Sequence, residues 1–191
     1  MDIKKRVVRL LNRRIIMVLV VVIGVPLFIW IQFFEVPNKV KIGEAKIQQD
    51  PAAHKFEDVT TFEDPYMGDN SNMNNLFQAL PLNDQKGTLE MDSDVFSLIV
   101  YYNTTTAELG QKAAQAVIYN TTAAFTLIGN LQTVEMRFED ESYTVTRENV
   151  EQWFGTTLVD FKNPEEFKEK VQEKLKKEDI DKWILAYTEG E

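Results

Sequence analysis

The densest collection of oxygen donors in the sequence is Asp64-Pro65-Tyr66-Met67-Gly68-Asp69-Asn70-Ser71, followed by Asn72, Asn74 and Asn75. Carboxylates and amide carbonyls are ligands for hard cations, so the first chemistry to weigh is calcium binding. A calcium loop of the helix–loop–helix kind needs ligands at alternate positions, a central glycine and a closing glutamate. Gly68 precedes the asparagines here, so the register fails. The same residues suit a tight turn leading into a helix. Asn70 or Ser71 would cap that helix, Gly68 would supply a positive-φ turn, and Tyr66 would pack where the domain begins.

Carboxylate catalysis on a wall polymer is the other chemistry open to this chain, since two acids can flank a scissile glycosidic bond. Glu139-Asp140-Glu141 is a tight acidic run, but it falls at a hairpin tip, where a solvated loop is the default. With 30 acids in the chain, close pairs arise by chance. The sequence has no cysteine, which excludes a thiolate nucleophile, a disulfide and a cysteine metal site. Its single histidine, His54, lies in a polar stretch between Pro51 and the turn at Pro65, and reads as a solvated linker side chain. No catalytic residue, cofactor or metal is assigned, and the chain is read as non-enzymatic. Asn103-Thr104-Thr105 and Asn120-Thr121-Thr122 have the form of glycosylation sequons. Such matches are unremarkable in a chain this rich in asparagine and threonine.

The elements that would carry these residues follow from hydrophobic periodicity. Met73, Leu76, Phe77 and Leu80 share one face of a short helix ended by Pro81. Gly87–Met91 and Val95–Tyr102 read as strands, with Phe96, Leu98, Val100 and Tyr102 on one side and Asp92-Ser93-Asp94 as the turn. Thr106–Asn130 is the longest helical pattern. Its small and apolar residues, Ala113, Ala116, Val117, Ala123, Ala124 and Leu127 among them, suit close packing on a sheet. A hairpin follows, with Val134, Met136 and Phe138 facing in and Tyr143 and Val145 returning. Thr146 would cap a helix stopped by Gly155. Asn163-Pro164-Glu165-Glu166 is a helix start. The mixed charges from Glu165 to Lys177 would form a solvated face with i,i+4 pairs. Ile180, Trp183, Ile184 and Tyr187 mark a last amphipathic helix. Hairpins around a central helix predict an α+β domain with an antiparallel sheet of about four strands packed by that helix.

At the other end, Ile15–Phe34 is an uncharged apolar run of about 20 residues, spanning roughly 30 Å as a helix. Lys4, Lys5, Arg6, Arg9, Arg13 and Arg14 precede it, and Trp30 sits in its aromatic outer end. Arg13, Arg14 and Trp30 would fix the run in a bilayer, with the basic side in the cytoplasm. The expected organisation is a cytoplasmic basic tail (1–14), a transmembrane helix (15–34), an extracytoplasmic linker (35–61) and an extracytoplasmic domain (62–191). The net charge of −9 hides this asymmetry, because almost all the acids follow the apolar run. No basic stretch in the domain is long enough to follow a phosphate backbone, which argues against nucleic acid.

Tyr66-Met67-Gly68-Asp69-Asn70-Ser71, with Tyr119-Asn120 through Ala124-Phe125-Thr126-Leu127-Ile128-Gly129-Asn130, resembles an uncharacterised extracytoplasmic domain family of Bacillota. That family's pattern is a Y-x-G-D-N-S opening, a helix with a Y-N…L-I-x-N ending, and then a hairpin. It is also seen on antirepressor-type membrane peptidases that sense cell-wall antibiotics. The resemblance covers residues 62–155. It implies a sensory or accessory role in the envelope and brings no catalytic residues, and the peptidase segment is missing from this chain. The expected function is a single-pass membrane protein whose outer domain binds a membrane or envelope protein partner. A carboxylate hydrolase acting on the cell wall, or a structural subunit of a transporter or secretion complex, are the alternatives.

Overall fold

The computed structural model describes the backbone of residues 2–35, 43 and 45–190, and among these the side chains of 15, 17–33, 43 and 45–190. The chain divides into two compact units, Met1–Ala45 and Lys46–Glu191.

The first unit is a helix over Asp2–Trp30 that continues as a π-wound turn at Ile31–Glu35. Pro26 lies inside it. Its described apolar side chains are open along their length, among them Met17, Val20, Val22, Leu27, Phe28, Trp30 and Phe33. Among the described residues, no helix is long and apolar enough to cross a membrane. The expected span of 15–34 includes Ile16 and Phe34, whose side chains lie outside the described residues, as do those of Arg13 and Arg14.

In the second unit, strands β1 (Lys86–Asp92), β2 (Ser97–Tyr102), β3 (Thr133–Arg137) and β4 (Ser142–Thr146) form one sheet in the order β1-β2-β3-β4. The outer pairs are antiparallel hairpins, but β2 and β3 are parallel, with Leu98 opposite Val134 and Val100 opposite Met136. The sheet is therefore mixed, not antiparallel as the hairpins suggested. The reason is the central helix, Gln111–Leu127. It leaves the end of β2 and carries the chain back to the other end of the sheet, so the next strand must run in the same direction.

Alternation in β2 and β3 sets the inner face: Leu98, Val100, Tyr102, Val134, Met136 and Val145 are buried. Phe96 departs from the expected pattern. It sits in the β1–β2 turn at φ +53° and is half-exposed. The outer face is polar, with Arg137 stacked over Tyr101 and paired with Glu135. A sheet with one solvated face and one covered by helices is what an α+β layer requires.

From Ala116 to Ile128 the central helix is buried on every side. Such a helix needs apolar cover all round. The sheet covers one side. The C-terminal helix Ile180–Glu189 and the segments Phe56–Phe62, Leu158–Lys162 and Pro164–Phe167 pack against its other sides. Trp183 stacks on Trp153 at 5.4 Å, and Phe154 meets Phe161 edge-on at 4.7 Å, so these aromatic side chains pack inward. Gly155, at φ +67°, ends the helix capped by Thr146, also as expected. Glu173 pairs with Lys176 and Lys177 on the mixed-charge surface.

The domain begins earlier than its periodicity indicated. Phe56 and Val59 are buried, and Phe56 stacks on Phe167 with ring centroids 3.8 Å apart. Residues 46–61 are thus part of the folded unit, not a linker. Residues 36–42 and 44, the remainder of the expected linker apart from its ends, lie outside the described residues.

Candidate functional site

The residues with the strongest sequence pattern form a structural junction. Asp69 caps the helix Asn70–Ala79, its Oδ1 accepting from the N–H groups of Ser71 at 2.8 Å and Asn72 at 3.1 Å. The cap is thus Asp69 itself, one residue before the expected Asn70 or Ser71, both of which point to solvent. Asp64 Oδ1 accepts from the N–H of Tyr66 at 2.8 Å, closing a turn. Gly68 has no positive φ, and space beside it is open, so the expected role for it fails. The turn is made instead by the aspartate side chains. Tyr66 does not pack inward. It is 69% exposed.

The two halves of the motif meet each other. The Asp64 N–H donates to the Leu127 carbonyl, the Gly129 N–H to the Asp64 carbonyl, and the Asn130 N–H to the Pro65 carbonyl, all within 3.1 Å. Asn130 Oδ1 accepts from the Met67 N–H at 2.7 Å. This ties the turn ahead of the helix Asn70–Ala79 to the end of the central helix. Gly129 is needed for the approach, because a Cβ there would stand 3.1 Å from the Pro65 oxygen and 3.2 Å from its Cα. Gly129→Ala is expected to lower stability by about 1–3 kcal/mol through this overpacking, read from the denaturant midpoint. Asp69→Ala should cost about 1 kcal/mol as a lost cap. Asn70→Ala and Ser71→Ala, both on open surface, should stay within about 0.5 kcal/mol of the parent.

The carboxylates offered for catalysis are engaged in similar work. Asp140, at the β3–β4 turn, accepts from the N–H and hydroxyl of Thr106 at 2.8 and 2.9 Å and so caps the turn Thr106–Leu109. Those donors hold its carboxyl below the usual range. Glu141 accepts from the Tyr143 hydroxyl at 2.9 Å, and burial together with Glu141 pushes the Tyr143 phenol up to about 12. Asn120 is fully buried, with its Nδ2 donating to the Pro81 carbonyl at 2.9 Å, so no glycan could reach it in the fold.

Two polar groups hold the interior: His54, which is buried and not the solvated linker side chain expected, and Arg147, which the sequence did not single out. His54 is 2% exposed. Its Nδ1 lies 2.7 Å from the Tyr119 hydroxyl and its Nε2 lies 2.9 Å from the Ala79 carbonyl. A carbonyl can only accept, so Nε2 carries the proton and the tyrosine donates to Nδ1. The His54 carbonyl in turn accepts from Gln172 Nε2 at 2.7 Å. Gln172 belongs to a π-wound stretch, Lys168–Gln172, in which the adjacent Val171 is buried as well. The sequence context of His54, polar and flanked by prolines, hid this placement. Arg147, just past β4, is the second group. It donates from Nη2 to the carbonyls of Phe125 and Ile128, each at 2.7 Å, and from Nε to that of Leu131 at 2.8 Å. Nothing in its spacing could have announced that.

The surface has two adjoining hollows. One, of about 440 Å³, runs between β4 and the C-terminal helix. The other, of about 400 Å³, lies by the start of the central helix. Both are lined by Tyr143, Asp181 and Ile184, so they form one groove. A smaller hollow of about 290 Å³ lies over Asp50–Lys55. Among the described residues, no group of His, Cys, Asp or Glu is arranged to hold a metal ion. No curated protein and no solved structure matches the chain. Residues 59–148 match the model of a family described as a domain of unknown function, DUF4825.

Proposed function

We propose that this chain is a membrane-anchored extracytoplasmic protein of the bacterial envelope, and that its domain acts non-enzymatically by binding a protein partner in a sensory or accessory role. The observation that carries the reading is the run of open apolar side chains from Met17 to Phe33 on one helix. Exposed apolar area of that length calls for a bilayer or a partner to cover it. The preceding arginines and lysines give it an orientation. The acids of the domain support the second half of the reading. Asp64, Asp69, Asp140 and Asp179 each accept main-chain N–H bonds in turns and caps. A carboxylate committed in that way serves the fold and is poorly placed to carry a proton to a substrate.

The test is in-membrane crosslinking of the full chain in its host, with mass spectrometry of what is captured. A control chain would carry an unrelated apolar helix in place of residues 15–34. A reproducible protein partner in the native chain supports the reading, and its loss in the swap would place recognition in the helix. Capture of no protein, with wall fragments retained instead, would sink it.

A further inference from the structure

The groove beside β4 has a property that volume alone does not express. In the β3–β4 hairpin, the Phe138 N–H donates to the Glu141 carbonyl at 2.8 Å. That bond fixes the alternation. Met136 and Val134 direct their main-chain groups at β4, and Tyr143 and Val145 answer them. Ser142 and Thr144 therefore turn their N–H and C=O groups away from the sheet. β4 is an edge strand, and no backbone bond reaches Ser142 or Thr144 from outside the sheet among the described residues. An edge of this kind is a template for another strand.

The far wall is the C-terminal helix, which presents Leu185 at 52% exposure. Around the groove stand Glu141, Asp181 and Glu189, and among the described residues its lining holds no lysine or arginine. A strand edge on one side, a helix with an apolar side chain on the other, and acids at the rim are the parts of a strand-addition site.

We propose that this groove takes an extended, basic segment of a partner protein, added as a fifth strand to β4. The proposal rests on the reading of the domain as a protein-interaction module and names the occupant's chemistry. Main-chain groups of the segment bond to Ser142 and Thr144. An apolar side chain meets Leu185, and flanking lysines or arginines meet Glu141, Asp181 and Glu189. The charge of the rim rules against a second copy of this acidic domain as occupant. One wall, β4, lies inside the family-matched segment, and the other wall lies beyond it.

The test places a photoreactive residue at Leu185 in the full chain in host membranes, with a second at Val159, an exposed site outside the groove. Captured segments are sequenced. Leu185 should capture lysine- or arginine-bearing segments. Thr144→Pro, which removes an outward N–H and no bond to β3, should cut that capture about tenfold. Thr144→Ala, which keeps the N–H, should leave it unchanged. Paired Asp181→Lys and Glu189→Lys changes should cut it by a similar factor. Unaltered melting of the variants excludes misfolding. Capture of a partner from Val159 alone, or capture from Leu185 indifferent to Thr144→Pro and to the charge reversals, would overturn the groove and leave the interaction reading standing. Silence at both positions would overturn both.

Discussion

Arg147→Met is expected to destabilise the domain by about 3–4 kcal/mol, the largest effect of any surface-reaching side chain. A helix leaves its last carbonyls without partners, and the buried end of the central helix cannot turn to water for them. The guanidinium bridges the carbonyls of Phe125, Ile128 and Leu131 at once. Its plane lies 5.5 Å from the Phe125 ring, and Glu151 stands 3.7 Å away as counter-ion. A cation at a helix C-terminus also meets the negative end of the dipole. Burial pulls the Arg147 pKa down, and Glu151 opposes that shift. Methionine keeps the stem and removes every donor, leaving the Phe125 and Leu131 carbonyls unpaired at about 1–3 kcal/mol each before any relaxation, while the Ile128 carbonyl keeps the Leu131 N–H at 3.3 Å. Arg147→Lys should recover less than half of the loss, because one ammonium cannot reproduce the planar fork. Urea unfolding with an unchanged m-value is the measurement. A loss under about 1 kcal/mol would show that the three carbonyls find other partners.

His54→Ala is expected to cost about 3 kcal/mol, the sum of a cavity and of two stranded groups, the Tyr119 hydroxyl and the Ala79 carbonyl. The wild-type protein should also show a pH dependence traceable to this residue. Burial lowers the His54 pKa, partly offset by the bond to Ala79 and by Asp58 and Glu57. In the unfolded chain the imidazole takes a proton near pH 6.5. Below that pH the unfolded state binds more protons than the folded one, so stability falls as pH falls. The contribution is complete above about pH 7 and erodes through the range below about 6.5. His54→Gln, which keeps an acceptor and a donor without titrating, should flatten that slope. The check is a series of denaturation midpoints from pH 8 to 5, and an unaltered slope in the variant would refute the assignment.

The two groups explain where the sequence was legible and where it was not. Periodicity located the four strands and the C-terminal helix, because each turns one face inward and that imposes a period; the central helix, buried all round from Ala116 to Ile128, showed instead as the longest run of small and apolar residues. Thr146, Gly155 and Asn163 announced helix ends through chemistry local to the chain. The direction of β3 was not local. It depends on which strand lies beside β2, and no residue in either hairpin encodes that neighbour. The place of residues 46–61 in the fold is not local either. Their polar composition resembles a linker, yet Phe56 is held by Phe167 and His54 by Tyr119, partners more than a hundred and about 65 positions away. The pattern at Tyr66–Ser71 was visible, but its work was not. Asp64 and Gly129 act on each other only after the central helix has brought them together, and of the motif's residues only Tyr66 is left as a large side chain open to solvent.

In the proposed arrangement, residues 15–34 hold the chain in a membrane with the acidic domain outside. Because the chain has no cysteine, a single introduced one is an unambiguous reporter. Glu90→Cys, on the open face of β1, and Lys5→Cys, in the basic tail, would each be exposed to a membrane-impermeant maleimide in intact host cells. Glu90→Cys should label in intact cells, Lys5→Cys should label only after permeabilisation, and both chains should stay with the membranes through an alkaline wash. Labelling of Glu90→Cys only after permeabilisation, or release of the chain by the wash, would contradict it.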